Sequence, residues 1–138
     1  MIPRILIDTG PLVALLDESD YFHEECGEQL HSMVLPLLTT WPVLTETTWL
    51  LQSYPEAIQQ LFVWAYSRKL TILPMGDEAA PWIATFFRKY RNLDPDVADA
   101  SLVYFAERED LDTVFTLDRH DFNLYRFGRN RRFRVIPG

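Results

Sequence analysis

The stretch Arg4-Ile5-Leu6-Ile7-Asp8-Thr9-Gly10-Pro11-Leu12-Val13-Ala14-Leu15-Leu16 decides the fold. Its first half is a short β-branched run that stops at an acid. Its second half is apolar, with a proline near its start. Proline suits a first helical turn because its missing N–H would be unpaired there anyway. The reading is strand, turn, helix, with Gly10 or Thr9 as the expected cap and Asp8 at the strand's carboxyl end. The same grammar continues along the chain. Residues 35–39 and 71–74 read as short strands, and 21–33, 41–54, 56–68, 77–90 and 96–108 as helices. Pro55 separates two of those helices, since the residue before a proline avoids helical angles. Residues 113–117 form a strand ending at Asp118, and 133–136 a possible last strand. Strands alternating with helices predict a parallel sheet covered on both faces, with any site at the carboxyl ends of the strands.

Composition narrows the class. A chain of 138 residues, 48% hydrophobic and 14% aromatic, can bury one good core, so a single domain over 1–138 is expected. No apolar run approaches the ~20 residues needed to span a bilayer, and Met1-Ile2-Pro3-Arg4 lacks the pattern of a secretory signal. The lone Cys26 can form neither an internal disulfide nor a zinc knuckle. These features predict a cytoplasmic protein without membrane contact. The net charge of −7 is unevenly spread: Arg126, Arg129, Arg131, Arg132 and Arg134 make the C-terminal stretch +5 and leave the preceding 125 residues at −12. Such asymmetry suits an acidic site beside a basic arm able to hold a polyanion.

Four acids are out of place. On the helix after Pro95, Asp99 projects between Leu102 and Val103, inside the apolar face. A lone carboxylate there is costly unless a cation or hydrogen-bond donors compensate it. Asp96 lies one turn earlier, where it can cap the helix. Glu46 sits at the margin of a stripe holding Val43, Leu44 and Leu51. Asp8 and Asp118 each end a strand-like run, and singly either is an ordinary cap or turn residue. If both strands are parallel members of one sheet, however, their carboxyl ends share one rim and the carboxylates converge. Acids gathered from four elements need a strong positive counterpart. Oxygen-only ligation favours Mg²⁺ or Mn²⁺ over Zn²⁺, and such a site suits phosphodiester hydrolysis.

Taken together, the opening stretch 5–15, Glu46, Asp96-Val97-Ala98-Asp99-Ala100-Ser101-Leu102 and Thr116-Leu117-Asp118-Arg119-His120-Asp121-Phe122 resemble the PIN domain ribonucleases, and among them the VapC toxins. Essentially the whole chain takes part. The resemblance implies a PIN-like three-layer α/β/α sandwich with a central parallel sheet. It also implies an Mg²⁺- or Mn²⁺-dependent endoribonuclease, a homodimer, and a cognate VapB-like antitoxin occupying the active-site groove. By position, Asp8 and Asp99 resemble the metal ligands, while Glu46 and Asp118 resemble the remaining acids, which bind metal, hold its waters or orient the nucleophile. Asp96 is supporting. His120 and Asp121 are expected to be capping or surface residues, and Arg126, Arg129, Arg131 and Arg132 to help hold the RNA substrate.

Other readings fit less well. A phosphoaspartyl hydrolase of the haloacid dehalogenase kind needs a second acid two residues after the first, where this chain has Gly10. A receiver domain needs a lysine at a late strand end, and only Lys69 and Lys89 exist, both at predicted helix ends. No Gly-x-x-x-x-Gly-Lys phosphate loop occurs, and His23, His31 and His120 lack evident catalytic partners. The remaining alternative is a catalytically silent PIN-like protein-binding module, in which some of Trp41, Trp49, Trp64, Trp82, Phe62, Phe86 and Phe87 line a dimer or antitoxin surface.

Overall fold

The computed structural model describes all 138 residues, Met1–Gly138. Its strands are β1 (Leu6–Ile7), β2 (Leu37–Thr39), β3 (Leu70–Ile72), β4 (Thr113–Phe115), β5 (Arg126–Phe127), β6 (Arg131–Arg132) and β7 (Arg134–Ile136). Five of them form one parallel sheet in the order β3-β2-β1-β4-β7, and β5 and β6 make a separate antiparallel hairpin. β1 is central, with Leu6 paired to Leu38 on one side and to Val114 on the other. Strands covered on both faces must be apolar on both, and Ile5, Leu6, Ile7, Val114 and Phe115 are all fully buried.

The helices are α1 (Thr9–Leu16), α2 (His23–Leu30), α3 (Trp41–Leu50), α4 (Pro55–Tyr66), α5 (Ala80–Lys89), α6 (Val97–Arg108) and α7 (Arg119–Leu124). From β1 the chain steps outward through β2 to β3. It then crosses back through α5 and α6 to β4, on the far side of β1, and continues outward to β7. Right-handed crossovers put α1 to α4 on one face and α5 to α7 on the other, which is the expected α/β/α sandwich. One contiguous core of 29 buried residues runs between the layers. No helix is long and apolar enough to cross a membrane. The winding reverses between β1 and β4, and in such sheets the crevice at the carboxyl ends of those two strands is the place where ligands bind.

Several local readings need correction. The cap of α1 is Asp8, whose side chain accepts from the Thr9 amide, rather than Thr9 or Gly10. Gly10 serves a different need: a Cβ there would meet the Leu117 side chain at 3.2 Å, so glycine lets α1 lie against the loop after β4. α3 stops at Leu50 rather than near Tyr54, and residues 77–79 form a 3-10 turn ahead of α5. Residues 119–132, which periodicity left without an element, hold α7 and the β5–β6 hairpin, pieces too short for a repeat to show. The arginine-rich end is therefore no free arm. Its residues are built into the hairpin and into β7.

Candidate active site

Three helices begin at the rim where β1 and β4 end, and an aspartate caps each of them. Asp8 accepts from the Thr9 amide at 2.8 Å, Asp96 from the Asp99 amide at 2.8 Å, and Asp118 from the Asp121 amide at 3.3 Å. These acids thus cap helix starts and line one crevice at the same time. A helix start needs a side-chain acceptor, and the fold aims three such starts at one crevice. β1 and β4 are adjacent, and the Asp8 amide donates to the Phe115 carbonyl at 2.9 Å. The second Asp8 oxygen accepts from the Thr116 hydroxyl at 2.8 Å, and that hydroxyl in turn receives the Asp118 amide at 3.0 Å. Thr116 therefore ties the ends of the two strands together.

Glu46 enters from α3. That helix is fastened to α6 by a buried hydroxyl pair, Thr40 Oγ1 to Ser101 Oγ at 2.6 Å. Thr40 also caps α3, and Ser101 also donates to the Ala98 carbonyl. The result is a groove of about 550 Å³ lined by eight acids, Asp8, Asp20, Glu46, Asp94, Asp96, Asp99, Asp118 and Asp121, with no lysine, arginine or histidine among its walls. All four acids singled out from the sequence line it, and so does Asp96.

The crowding shows in their protonation. Burial, opposed by the Thr116 and Thr9 hydrogen bonds and reinforced by Glu46 and Asp96, pushes Asp8 up to about 6. Asp8 is only 6% exposed. Burial and then the charges of Asp8 and Asp96 push Asp99 up to about 8, although the Tyr125 hydroxyl donates to it at 2.9 Å. Glu46 is raised by burial and by Asp96 against the Thr9 hydroxyl, and Asp118 by burial first. Three helix N-termini contribute only about 0.3–1 kcal/mol each toward an anion in their first turn. That does not offset eight carboxylates, whose repulsion a bound cation would relieve.

The donor set fits a hard divalent ion. Asp99, Asp118 and Asp121 each offer an oxygen, and the three lie within 4.8 Å of one another. Bonds of about 2.1 Å in an octahedron put adjacent ligand oxygens roughly 3 Å apart and opposite ones roughly 4.2 Å apart, a difference small side-chain rotations cover. No cysteine or histidine lines the groove to suggest zinc. Asp121, expected to be surface or capping, belongs to this trio. His120 is exposed and bonded to Asp121 at 2.8 Å. Tyr125, Asp20 and Asp94 were also missed. Asp121 was legible: Asp118-x-x-Asp121 repeats the spacing of Asp96-x-x-Asp99, with the first acid capping the helix and the second one turn in.

The arginines lie elsewhere. Arg131 pairs with Asp110 and, at 3.9 Å, with Asp112, both just before β4 and so toward the sheet's amino-terminal edge. Arg126 donates to the Asn123 and Tyr125 carbonyls, while Arg129 and Arg132 are exposed on the hairpin. Neither Lys69, just ahead of β3, nor Lys89, at the end of α5, reaches the acids, so the arrangement of a receiver domain is absent. Of the aromatic residues, Trp64, Trp82, Phe62, Phe86 and Phe87 pack on or in the core, whereas Trp41 and Trp49 on α3 are 56% and 67% exposed.

A family model described as the PIN domain matches residues 5–128. Ribonuclease VapC26 of Mycobacterium tuberculosis is 28% identical over 138 residues, covering 96% of this chain and 100% of that protein. The crystal structure of Mycobacterium tuberculosis VapC20, described as a sarcin-ricin loop cleaving toxin, superposes with a TM-score of 0.77 at 16% identity, over 84% of this chain and 91% of that one.

Proposed function

The chain belongs to the PIN domain family, and from that premise we propose that it is a metal-dependent endoribonuclease hydrolysing RNA phosphodiester bonds, the toxin of a toxin–antitoxin pair. One observation carries the reading: Asp8, a carboxylate buried at the winding reversal, shares a groove with seven further acids and no basic side chain. A catalytically silent version of the fold would carry that electrostatic cost without any return.

Asp8 and Asp99 would hold Mg²⁺ or Mn²⁺, with Asp118 and Asp121 within reach. When bound, the ion supplies a more acidic water and positive charge for the leaving oxygen. The chain's own residues do the rest. Thr116 and the Thr9 amide fix the Asp8 carboxylate in one orientation, and Tyr125 does the same for Asp99. Asp96, by accepting from the Asp99 amide, sets the first turn of α6. Glu46 enters from a different helix, α3, and lines the same groove; its carboxylate would take the proton of the attacking water. The same reading supplies a VapB-like antitoxin as partner, and the exposed α3 residues Trp41, Trp49 and Leu50 offer apolar surface for it or for a homodimer.

The purified protein is expected to cleave structured single-stranded RNA in Mg²⁺ or Mn²⁺ and to stop on addition of a chelator. Asp8→Asn and Asp99→Asn should each lose at least about a hundredfold in rate while keeping the wild-type circular dichroism spectrum, in line with losing one preorganised charged group. Full activity in both variants would remove the mechanism.

A further inference from the structure

The groove that would cut RNA repels it. Eight carboxylates facing a phosphodiester leave the metal as the only attractive charge, so affinity for the rest of the strand has to come from another surface. Nine of the thirteen basic residues lie in the ends of α5 and α6 and in 126–134: Arg88, Lys89 and Arg91, then Arg108, then the five arginines of the hairpin and β7. Between α5, the last turn of α6 and the hairpin lies a separate cavity of about 580 Å³.

Its wall is aromatic. Trp82 stacks on Phe86 at 5.6 Å with the ring planes 17° apart, and Tyr90 continues the row at 4.9 Å from Phe86. The frame is rigid: both Glu107 oxygens are engaged, one by Trp82 Nε1 at 2.9 Å and the other by the Gly128 amide at 2.8 Å. Tyr90 receives the Arg126 amide at 2.8 Å. Lys89 and Arg126 stand in the same wall together with Glu78, and Lys89 Nζ lies over the Tyr90 ring, 5.2 Å from its centroid. Trp82 and Tyr90 are half-buried and Phe86 behind them is buried; open aromatic faces with cations beside them are what sequence-tolerant single-strand binding uses, a ring face for the base and a charge for the backbone. The cavity also sits next to the cutting site. Tyr90 packs on Tyr125 at 5.0 Å, and Tyr125 is hydrogen-bonded to Asp99. Only Arg91 to Leu93 on one strand of the chain separate Tyr90 from Asp94 of the groove.

We propose that this cavity is a nucleobase subsite, in which an unpaired base of the RNA strand running out of the acidic groove stacks on the half-buried Trp82 and Tyr90, backed by Phe86, while Lys89 and Arg126 meet the adjoining phosphate. The proposal rests on the RNA reading above and adds to it the place where the uncut part of the strand is held.

The test uses the full-length protein and a single-stranded RNA carrying 2-aminopurine near the scissile position, whose emission falls when the base stacks. Wild-type protein should quench it. Trp82→Leu should abolish the quench and weaken RNA binding about tenfold, within the range for one lost stacking contact. Lys89→Glu changes an exposed side chain that lies over the Tyr90 ring and keeps the test valid should Trp82→Leu fold poorly; it should raise KM by a similar factor and flatten the salt dependence of binding. If the wild type fails to cut RNA but the quench and its loss in the variants persist, the subsite stands and the nuclease reading falls. If cutting proceeds and quench, KM and salt slope are unchanged in both variants, the subsite is overturned and the nuclease reading stands.

Discussion

Asp121 carries a charge that the hydrogen bonding of its own helix does not need. Asp118 already caps α7, and the Asp121 side chain, bonded only to exposed His120, turns toward Asp99 and Asp118. Neutralising it should weaken an ion held by the trio rather than weaken the fold. Asp121→Asn is expected to reduce Mn²⁺ affinity by about ten- to a hundredfold, the range seen when a supporting group of a metal site is lost. Calorimetric titration with Mn²⁺ measures this, and His120→Ala, altering only the exposed neighbour, should leave the affinity close to that of the wild type. An Asp121→Asn isotherm matching the wild type would take this residue out of the site. Tyr125 shows what residue-scale reading could not reach. Its hydroxyl meets Asp99 across 26 positions of sequence, and no periodicity links a tyrosine after one helix to an aspartate in the first turn of another.

At the scale of elements, the site depends on how α3 and α6 are held together, because Glu46 rides on one and Asp96 and Asp99 on the other. The fastening is the buried pair Thr40–Ser101, with both hydroxyls fully shielded from solvent. Ser101→Ala leaves the Thr40 hydroxyl without its partner, at a cost of about 1–3 kcal/mol for a buried group left unpaired. Thermal or urea unfolding should show that loss, and cleavage should fall by less than in Asp99→Asn, since every carboxylate remains. Much of this level was legible from the sequence. Strand-terminal acids after β-branched runs marked Asp8 and Asp118, proline punctuation marked the starts of α3 and α4, and the helical wheel marked Asp99. The hairpin was not legible: its two-residue strands carry no alternation, and its turn depends on positive φ at Gly128 and Asn130, in a run whose arginines drew the reading toward a basic arm. That same run, folded back against α5 and α6, now frames the aromatic cavity.

Over the whole molecule, the winding of the sheet concentrates negative charge at one rim, and folding stability registers it. From the ordinary 3.8 of a free aspartate, folding raises Asp8 to about 6 and Asp99 to about 8. Between those limits the native state keeps protons that the unfolded chain has released, so unfolding releases protons and stability falls as pH rises. The fall starts just above the unfolded value and ends once both folded values are passed. For well-buried Asp8 alone it amounts to on the order of 3 kcal/mol. In a chelating buffer the melting temperature should therefore drop by several degrees from about pH 5 to about pH 9. A divalent ion binds the native carboxylates and not the unfolded chain, so it stabilises by mass action. It must compete with protons for the same oxygens, so millimolar Mn²⁺ should recover most of the lost stability near pH 8 and little of it near pH 5. Asp99→Asn removes one of the opposed charges and should flatten the pH dependence in chelator while blunting the response to Mn²⁺. A melting temperature that rose with pH in chelator would show that the acids are compensated within the protein itself, and the argument for a cation in the groove would lose its physical basis.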